Sequence, residues 1–204
     1  MSSLALLFVG AVLLVNGLVL LGRVDARAAV PINLITGAGL VTASLIIAIP
    51  AGGSDRLDLF GAVGYGLFGV TYLTVAGGTL LRADGRALGW YCAWASATAV
   101  VLAAINLTSS DARMAWLWSA WAVLFFVFFL SGCAVGPRWD VAAGVLAISQ
   151  SVTTATVPSL LMIDGAWTTV PLGWVAAAQV VGVVLAAALA VRATVPGRVS
   201  LATA

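Results

Sequence analysis

Seven runs of about 20 apolar residues follow one another with little between them, a pattern that suits only one solvent. The runs are Leu4 to Gly22, Ala29 to Ile49, Leu57 to Leu80, Ala87 to Asn106, Met114 to Val135, Val141 to Met162 and Val170 to Val191. Each is long enough to cross the hydrocarbon core of a bilayer as a helix, the form in which a lone segment pairs its own backbone polar groups. The breaks carry Gly, Pro, Asp or Arg, as in Ala51-Gly-Gly-Ser-Asp-Arg56 and Gly136-Pro-Arg-Trp-Asp140, which are turn and interface residues. Of the 204 residues 63% are hydrophobic and 8% charged, so seven crossings leave no length for a second domain. The chain therefore reads as an all-α integral membrane protein, one transmembrane domain over residues 1–204. Met1-Ser2-Ser3-Leu4 lacks the basic start of a signal peptide, so the first run is kept as a helix.

Arginine marks the cytoplasmic side of a membrane protein. Arg23, Arg27, Arg82, Arg86, Arg138, Arg192 and Arg198 fall on one side of the seven crossings, Arg56 and Arg113 on the other. That places the N-terminus outside and the C-terminus in the cytoplasm. Three loops on the arginine-rich side share a pattern, Arg23-Val-Asp25, Arg82-Ala-Asp84 and Arg138-Trp-Asp140, spaced 59 and 56 residues apart. This spacing predicts three two-helix hairpin repeats around a pseudo-threefold axis along the membrane normal, with the seventh helix outside the repeat. The plainer account is that Arg and Asp are simply common at helix ends.

What the chain lacks is equally informative. It has no Lys, Glu or His, and its charges are nine Arg and seven Asp, for a net +2 that does not point to nucleic acid. Every Asp falls in a loop or at a helix end, so no membrane-buried carboxylate is available to couple solute movement to protons or sodium. Without His or Lys there is no ordinary haem ligation and no retinal Schiff base, and catalysis lacks its usual parts. No cofactor and no metal are expected, and an enzyme is not. Cys92 and Cys133 sit in separate apolar runs without CxxC spacing and read as small core residues.

Against this background the aromatic and polar residues fall at helical spacing. Tyr65, Phe68 and Tyr72 share one face of the third helix, and Met114, Trp118, Trp121 and Phe125 share one face of the fifth. Asn16, Asn33 and Gln150, the last between Ser149 and Ser151, bring amides into the membrane. Packing and helix-tying account for any one of these residues taken alone. Together they fit one path, because odd-numbered helices all run inward. A planar solute with NH and C=O groups can slide between aromatic faces while hydroxyl, indole and amide groups replace its water. An ion gains no such compensation in an uncharged constriction.

Several ordered stretches are similar to the AmiS/UreI family of urea and short-amide channels. They are Phe8-Val-Gly-Ala-Val-Leu-Leu-Val-Asn-Gly17, Gly22-Arg-Val-Asp25, Asn33, Gly66-Leu-Phe-Gly-Val-Thr-Tyr72, Trp90-Tyr91 and Trp118-Ser-Ala-Trp121. The resemblance spans the first six helices. It implies a twisted bundle of three hairpins, a solute path through each protomer, and a homo-oligomeric ring, commonly a hexamer, in membrane lipid. Phe68, Tyr72, Trp118, Trp121 and Phe125 match the family's pore motifs, with Phe125 where some relatives carry a third Trp. Gln150, eight residues before Pro158, matches a position where the family often carries a buried Glu, and it keeps the hydrogen bonding without the charge. The acid-gated member of the family uses titrating His in its outer loops, and this chain has none. The seventh helix, with Gln179 among Ala, Val and Gly, is expected to pack outside the bundle.

The expectation is a passive channel for urea or short aliphatic amides in a bacterial cytoplasmic membrane, without an acid gate, feeding an internal urease or amidase. The solute path is expected along Phe68, Tyr72, Trp118, Trp121, Phe125, Asn16, Asn33 and Gln150. Two other readings stay open: a coupled carrier of small amides, and a membrane scaffold whose aromatic faces only pack.

Overall fold

All seven apolar runs are helices. The computed structural model describes residues 3–51, 56–134 and 136–193, which form α1 (Ser3–Leu20), α2 (Val30–Ala51), α3 (Arg56–Leu81), α4 (Arg86–Thr108), α5 (Ala112–Cys133), α6 (Pro137–Ile163) and α7 (Leu172–Ala193). Each is long and apolar enough to span a bilayer. Most boundaries fall within a few residues of those expected. The sixth helix starts four residues early, because Pro137 takes the first helical position, where its missing N–H costs nothing. Arg138-Trp-Asp140 is thus the first turn of α6, not a loop. Val170, expected in the seventh helix, lies instead after a 3-10 turn, Trp167–Thr169. Val135, Arg198 and most of the Ala51-to-Arg56 break lie outside the described residues.

The other two members of the repeat share a local geometry. α1 ends with Gly22 in the left-handed region (φ 67°) and a bond from Arg23 N–H to the Leu18 carbonyl (2.8 Å). α3 ends with Arg82 in the same region (φ 53°) and a bond from Ala83 N–H to the Gly78 carbonyl (2.9 Å). Each loop then turns on an aspartate: Asp25 Oδ1 accepts from Arg27 N–H (2.8 Å), and Asp84 Oδ1 from Arg86 N–H (2.9 Å).

Six helices close a ring in chain order, but consecutive helices sharing an Arg-x-Asp turn are not the tightest neighbours. The closest pairs are α2 with α3, α4 with α5, and α1 with α6, so each repeat packs hardest on the next one around the axis. The cause is small residues at the crossings, which suit lipid, where burial of apolar surface gives helices little reason to associate. One glycine pair sits in each crossing. A Cβ on Gly37 or on Gly69 would lie 3.0 Å from the other's carbonyl oxygen. A Cβ on Gly17 would lie 2.8 Å from the Gly144 carbonyl oxygen, and one on Gly132 3.0 Å from Gly89 Cα. Side chains reinforce the same crossings: Ser44 donates to the Ala62 carbonyl (2.7 Å) and Ser96 to the Ala122 carbonyl (2.8 Å).

The outer surface is what lipid requires. Ile35, Ile46, Val100, Phe126 and Leu189 are exposed, as are Trp90 and Trp174 near opposite ends of the bundle. α7 lies outside the six-helix ring against α6 and α5, burying Val175, Gln179, Gly182, Ala186 and Ala190. Gly182 rests on Ser149, where a Cβ would collide with the hydroxyl.

α6 departs from α-helical geometry at its centre. Residues Ser151–Thr156 form a π turn, and Val157 N–H bonds to the Val152 carbonyl five residues back. No pattern of apolar residues announces this turn.

The glycine crossings carry a direct test. In Gly69→Ala the new methyl meets Val41 Cγ2 at 2.8 Å and, less forgivingly, Val41 backbone nitrogen at 2.9 Å. Thermal unfolding in detergent should show a loss of about 1–3 kcal/mol, the usual cost of overpacking. Gly39→Ala, with nothing within 4 Å, should be neutral. Equal stability of the two variants would contradict the packing described.

Candidate functional site

The two aromatic faces expected from the sequence meet at the centre of the ring. α3 contributes Tyr65, Phe68 and Tyr72, and α5 contributes Trp118, Trp121 and Phe125, all buried. Phe68 is the hub, its ring centroid lying 5.1 Å from Trp121, 5.3 Å from Phe125, 6.1 Å from Tyr72 and 6.4 Å from Trp118. Trp121 stands edge-on to Phe68 (83°) and to Trp118 (86°, 4.7 Å), an arrangement favoured by the ring quadrupoles. The cluster meets because α3 and α5, both odd-numbered, run in parallel and present equal depths to each other.

Polar chemistry enters this cluster from α6. The Trp121 indole N–H donates to Thr154 Oγ1 (2.9 Å), whose own proton goes to the Gln150 backbone carbonyl (2.7 Å). Gln150 Nε2 donates to the Ala120 carbonyl (2.9 Å). The Trp121 N–H is therefore taken within the protein, which limits the expectation that indole N–H groups serve a path. Among the described residues four buried side-chain polar atoms have no hydrogen-bond partner: Tyr72 Oη in this cluster, Gln150 Oε1 on α6, and both amide atoms of Gln179 on α7. An unsatisfied buried polar group is costly, and in a native site it calls for an explanation.

On the arginine-rich side the cluster opens into a cavity of about 200 Å³, lined by Leu13, Asn16, Thr71, Tyr72, Cys92, Phe128 and Ser131 among others. Tyr72 belongs to both the cluster and the cavity. Asn16 faces the cavity while exchanging two amide hydrogen bonds with Asn33, at 2.9 and 2.8 Å. Asn33 is fully buried and also donates to the Ala29 carbonyl (2.9 Å), so its amide ties α1 to α2. Of the eight residues expected along a path, the five aromatics form one cluster, Gln150 reaches it through α5, and the two asparagines form a separate pair. Thr154 and Thr71 are not singled out by the sequence, and Cys92, read there as a small core residue, is buried and lines the cavity. The run Ser149-Gln-Ser-Val-Thr-Thr154 is the one signal that could have found Thr154. Among the described residues no group of His, Cys, Asp or Glu is arranged to hold a metal.

The family model described as "AmiS/UreI family transporter" matches residues 1–166. The chain belongs to the AmiS/UreI family. A Mycolicibacterium smegmatis protein named as a transporter of amidate substrates is 37% identical over 177 residues, 84% of this chain and 81% of that one. The transporter protein AmiS2 of Rhodococcus erythropolis is 37% identical over 181 residues, 87% of each chain. Among solved structures, the urea channel of the gastric pathogen Helicobacter pylori superposes with a TM-score of 0.71 at 26% identity, covering 82% of this chain and 99% of that one. The AmiS/UreI match ends before α7. This chain is thus a multi-pass membrane protein of a transporter family, and its fold matches that of the urea channel over 82% of its length.

The cavity makes its own forecast. In a Cys133→Ser protein, Cys92 should react with small, uncharged methyl methanethiosulfonate and not with a maleimide carrying a polyethylene glycol chain. Protection from both reagents, read by mass spectrometry, would mean that water does not reach the cavity.

Proposed function

We propose that this protein is a passive channel for urea and short aliphatic amides, with the solute passing between the α3 and α5 aromatic faces of each protomer. The observation that carries this reading is the pair of buried, unpartnered atoms, Tyr72 Oη and Gln150 Oε1. A hydroxyl that can donate and a carbonyl that can accept match a solute bearing C=O and NH₂. The rings gathered on Phe68, that of Tyr72 among them, shed water from the planar faces of such a solute at little cost. A monovalent cation finds no fixed negative charge there, so its dehydration goes uncompensated. The names of the relatives, a transporter of amidate substrates and a urea channel, point to the same class of solute.

Passive transport rather than coupled transport is supported by where the carboxylates stand. Asp58 and Asp140 lie in first turns of helices, and Asp25, Asp84, Asp111 and Asp164 lie at helix ends or in loops. None of these is placed where a coupled carrier needs a titrating group. The absence of His supports a channel that stays open between pH 5 and 7.4. The arginine count supports a cytoplasmic C-terminus in a bacterial inner membrane, and the likeness to the urea channel supports a ring of protomers, six by family resemblance. A urease or amidase inside the cell would maintain the gradient.

The test is stopped-flow light scattering of reconstituted vesicles after urea and acetamide gradients, with and without a protonophore, at pH 7.4 and 5. Both solutes should equilibrate faster than in protein-free vesicles under all conditions. Tyr72→Phe and Gln150→Leu should each slow flux by about fivefold, the value of one neutral hydrogen bond of ~1 kcal/mol. Loss of uptake on adding protonophore would replace the channel with a coupled carrier. No acceleration by folded protein would leave a membrane scaffold.

A further inference from the structure

The π turn in α6 and the Trp121 indole are joined by one hydroxyl, and their geometry gives that hydroxyl a task. A π turn carries more residues per turn than the 3.6 of an α-helix, so residues four apart come closer to eclipsing. Gln150 and Thr154 are four apart at the entry to the turn, and both reach α5, at the consecutive residues Ala120 and Trp121. The Thr154 hydroxyl has a single proton, which goes to the Gln150 backbone carbonyl. Its oxygen is left to accept, and an indole N–H can only donate, so the direction of the bond is fixed. Thr154 and Trp121 are both fully buried, so no water competes for either atom.

We infer that Thr154 is a positioning residue for solute selection: from the π turn it fixes the angle of the Trp121 ring, and that angle sets the free width beside Phe68. This rests on the channel reading above. The Trp121 ring has two edge-to-face partners, Phe68 and Trp118, and each contact tolerates a range of tilt on its own. The hydrogen bond at the ring's polar edge is the directional constraint. Without it the buried N–H seeks another acceptor, and the ring swings about its side-chain torsions. A swung ring changes which solutes fit before it changes whether the helices assemble.

The experiment compares Thr154→Val, which keeps shape and loses the acceptor, with Thr154→Ser, which keeps the acceptor, and uses Thr154→Ala should the valine variant not fold. Two readouts are taken on detergent-purified and reconstituted protein. The first is the ratio of urea to propionamide permeability, normalised to folded protein. The second is the indole hydrogen-bonding band in the ultraviolet resonance Raman difference spectrum. Thr154→Val or Thr154→Ala should change the permeability ratio by about threefold or more and shift the band of one Trp, while Thr154→Ser keeps both as in the natural protein. An unshifted band, or an unchanged ratio with a shifted band, would overturn the positioning role. If the natural protein conducts neither solute, the channel reading falls, and the Raman arm still decides whether Thr154 holds the indole.

Discussion

Everything in this molecule depends on how closely helices can approach in a solvent that gives them no hydrophobic reason to do so. The answer here is one glycine pair in each of three crossings: Gly37 with Gly69, Gly89 with Gly132, and Gly17 with Gly144. Backbone contact at these points replaces the side-chain interlock of a soluble bundle. Because the tight pairs join one repeat to the next, the ring closes through α1 and α6, which are far apart in the chain. The aromatic cluster at the centre inherits its dimensions from those crossings. Large rings on α3 and α5 fill the space that small residues at the perimeter leave.

Within that frame the polar groups divide by whether they are satisfied. Asn16 with Asn33, Trp121 with Thr154, and Tyr91 with the Leu67 carbonyl (2.8 Å) have partners and act as ties. Tyr72 Oη and Gln150 Oε1 do not: Tyr72 belongs to the aromatic cluster, and Gln150 holds the α5 backbone at Ala120, next to Trp121. In hydrocarbon an idle polar atom is a cost, and the proposed function gives these two a partner in a passing solute. Gln179 on α7 is likewise buried with both amide atoms unpaired, but it lies on the outer helix.

The sequence made the helices legible because crossing a bilayer demands a length of apolar chain that little else produces. Phe68, Tyr72, Trp118, Trp121 and Phe125 were legible as a group because three- and four-residue spacing places them on single faces and the parity of their helices aligns them. Asn16 and Asn33 were visible as amides but not as a pair, since their partnership depends on how α1 meets α2. The tight contact of α1 with α6 was hidden for the same reason. The π turn was hidden more deeply: it is a shift of hydrogen-bond partner within an apolar helix, and Thr154 bonding four residues back looks like any threonine in a helix.

The central claim is that a neutral, planar solute passes between the α3 and α5 aromatic faces of a single protomer. Selenourea has the shape and hydrogen-bonding groups of urea and carries an anomalous scatterer, so crystals equilibrated with it locate the path directly. The account predicts selenium peaks within the ring of six helices, beside Phe68 and Trp121 and within reach of Tyr72 Oη or Gln150 Oε1. Peaks confined to the space between protomers, or to the groove beside α7, would contradict it.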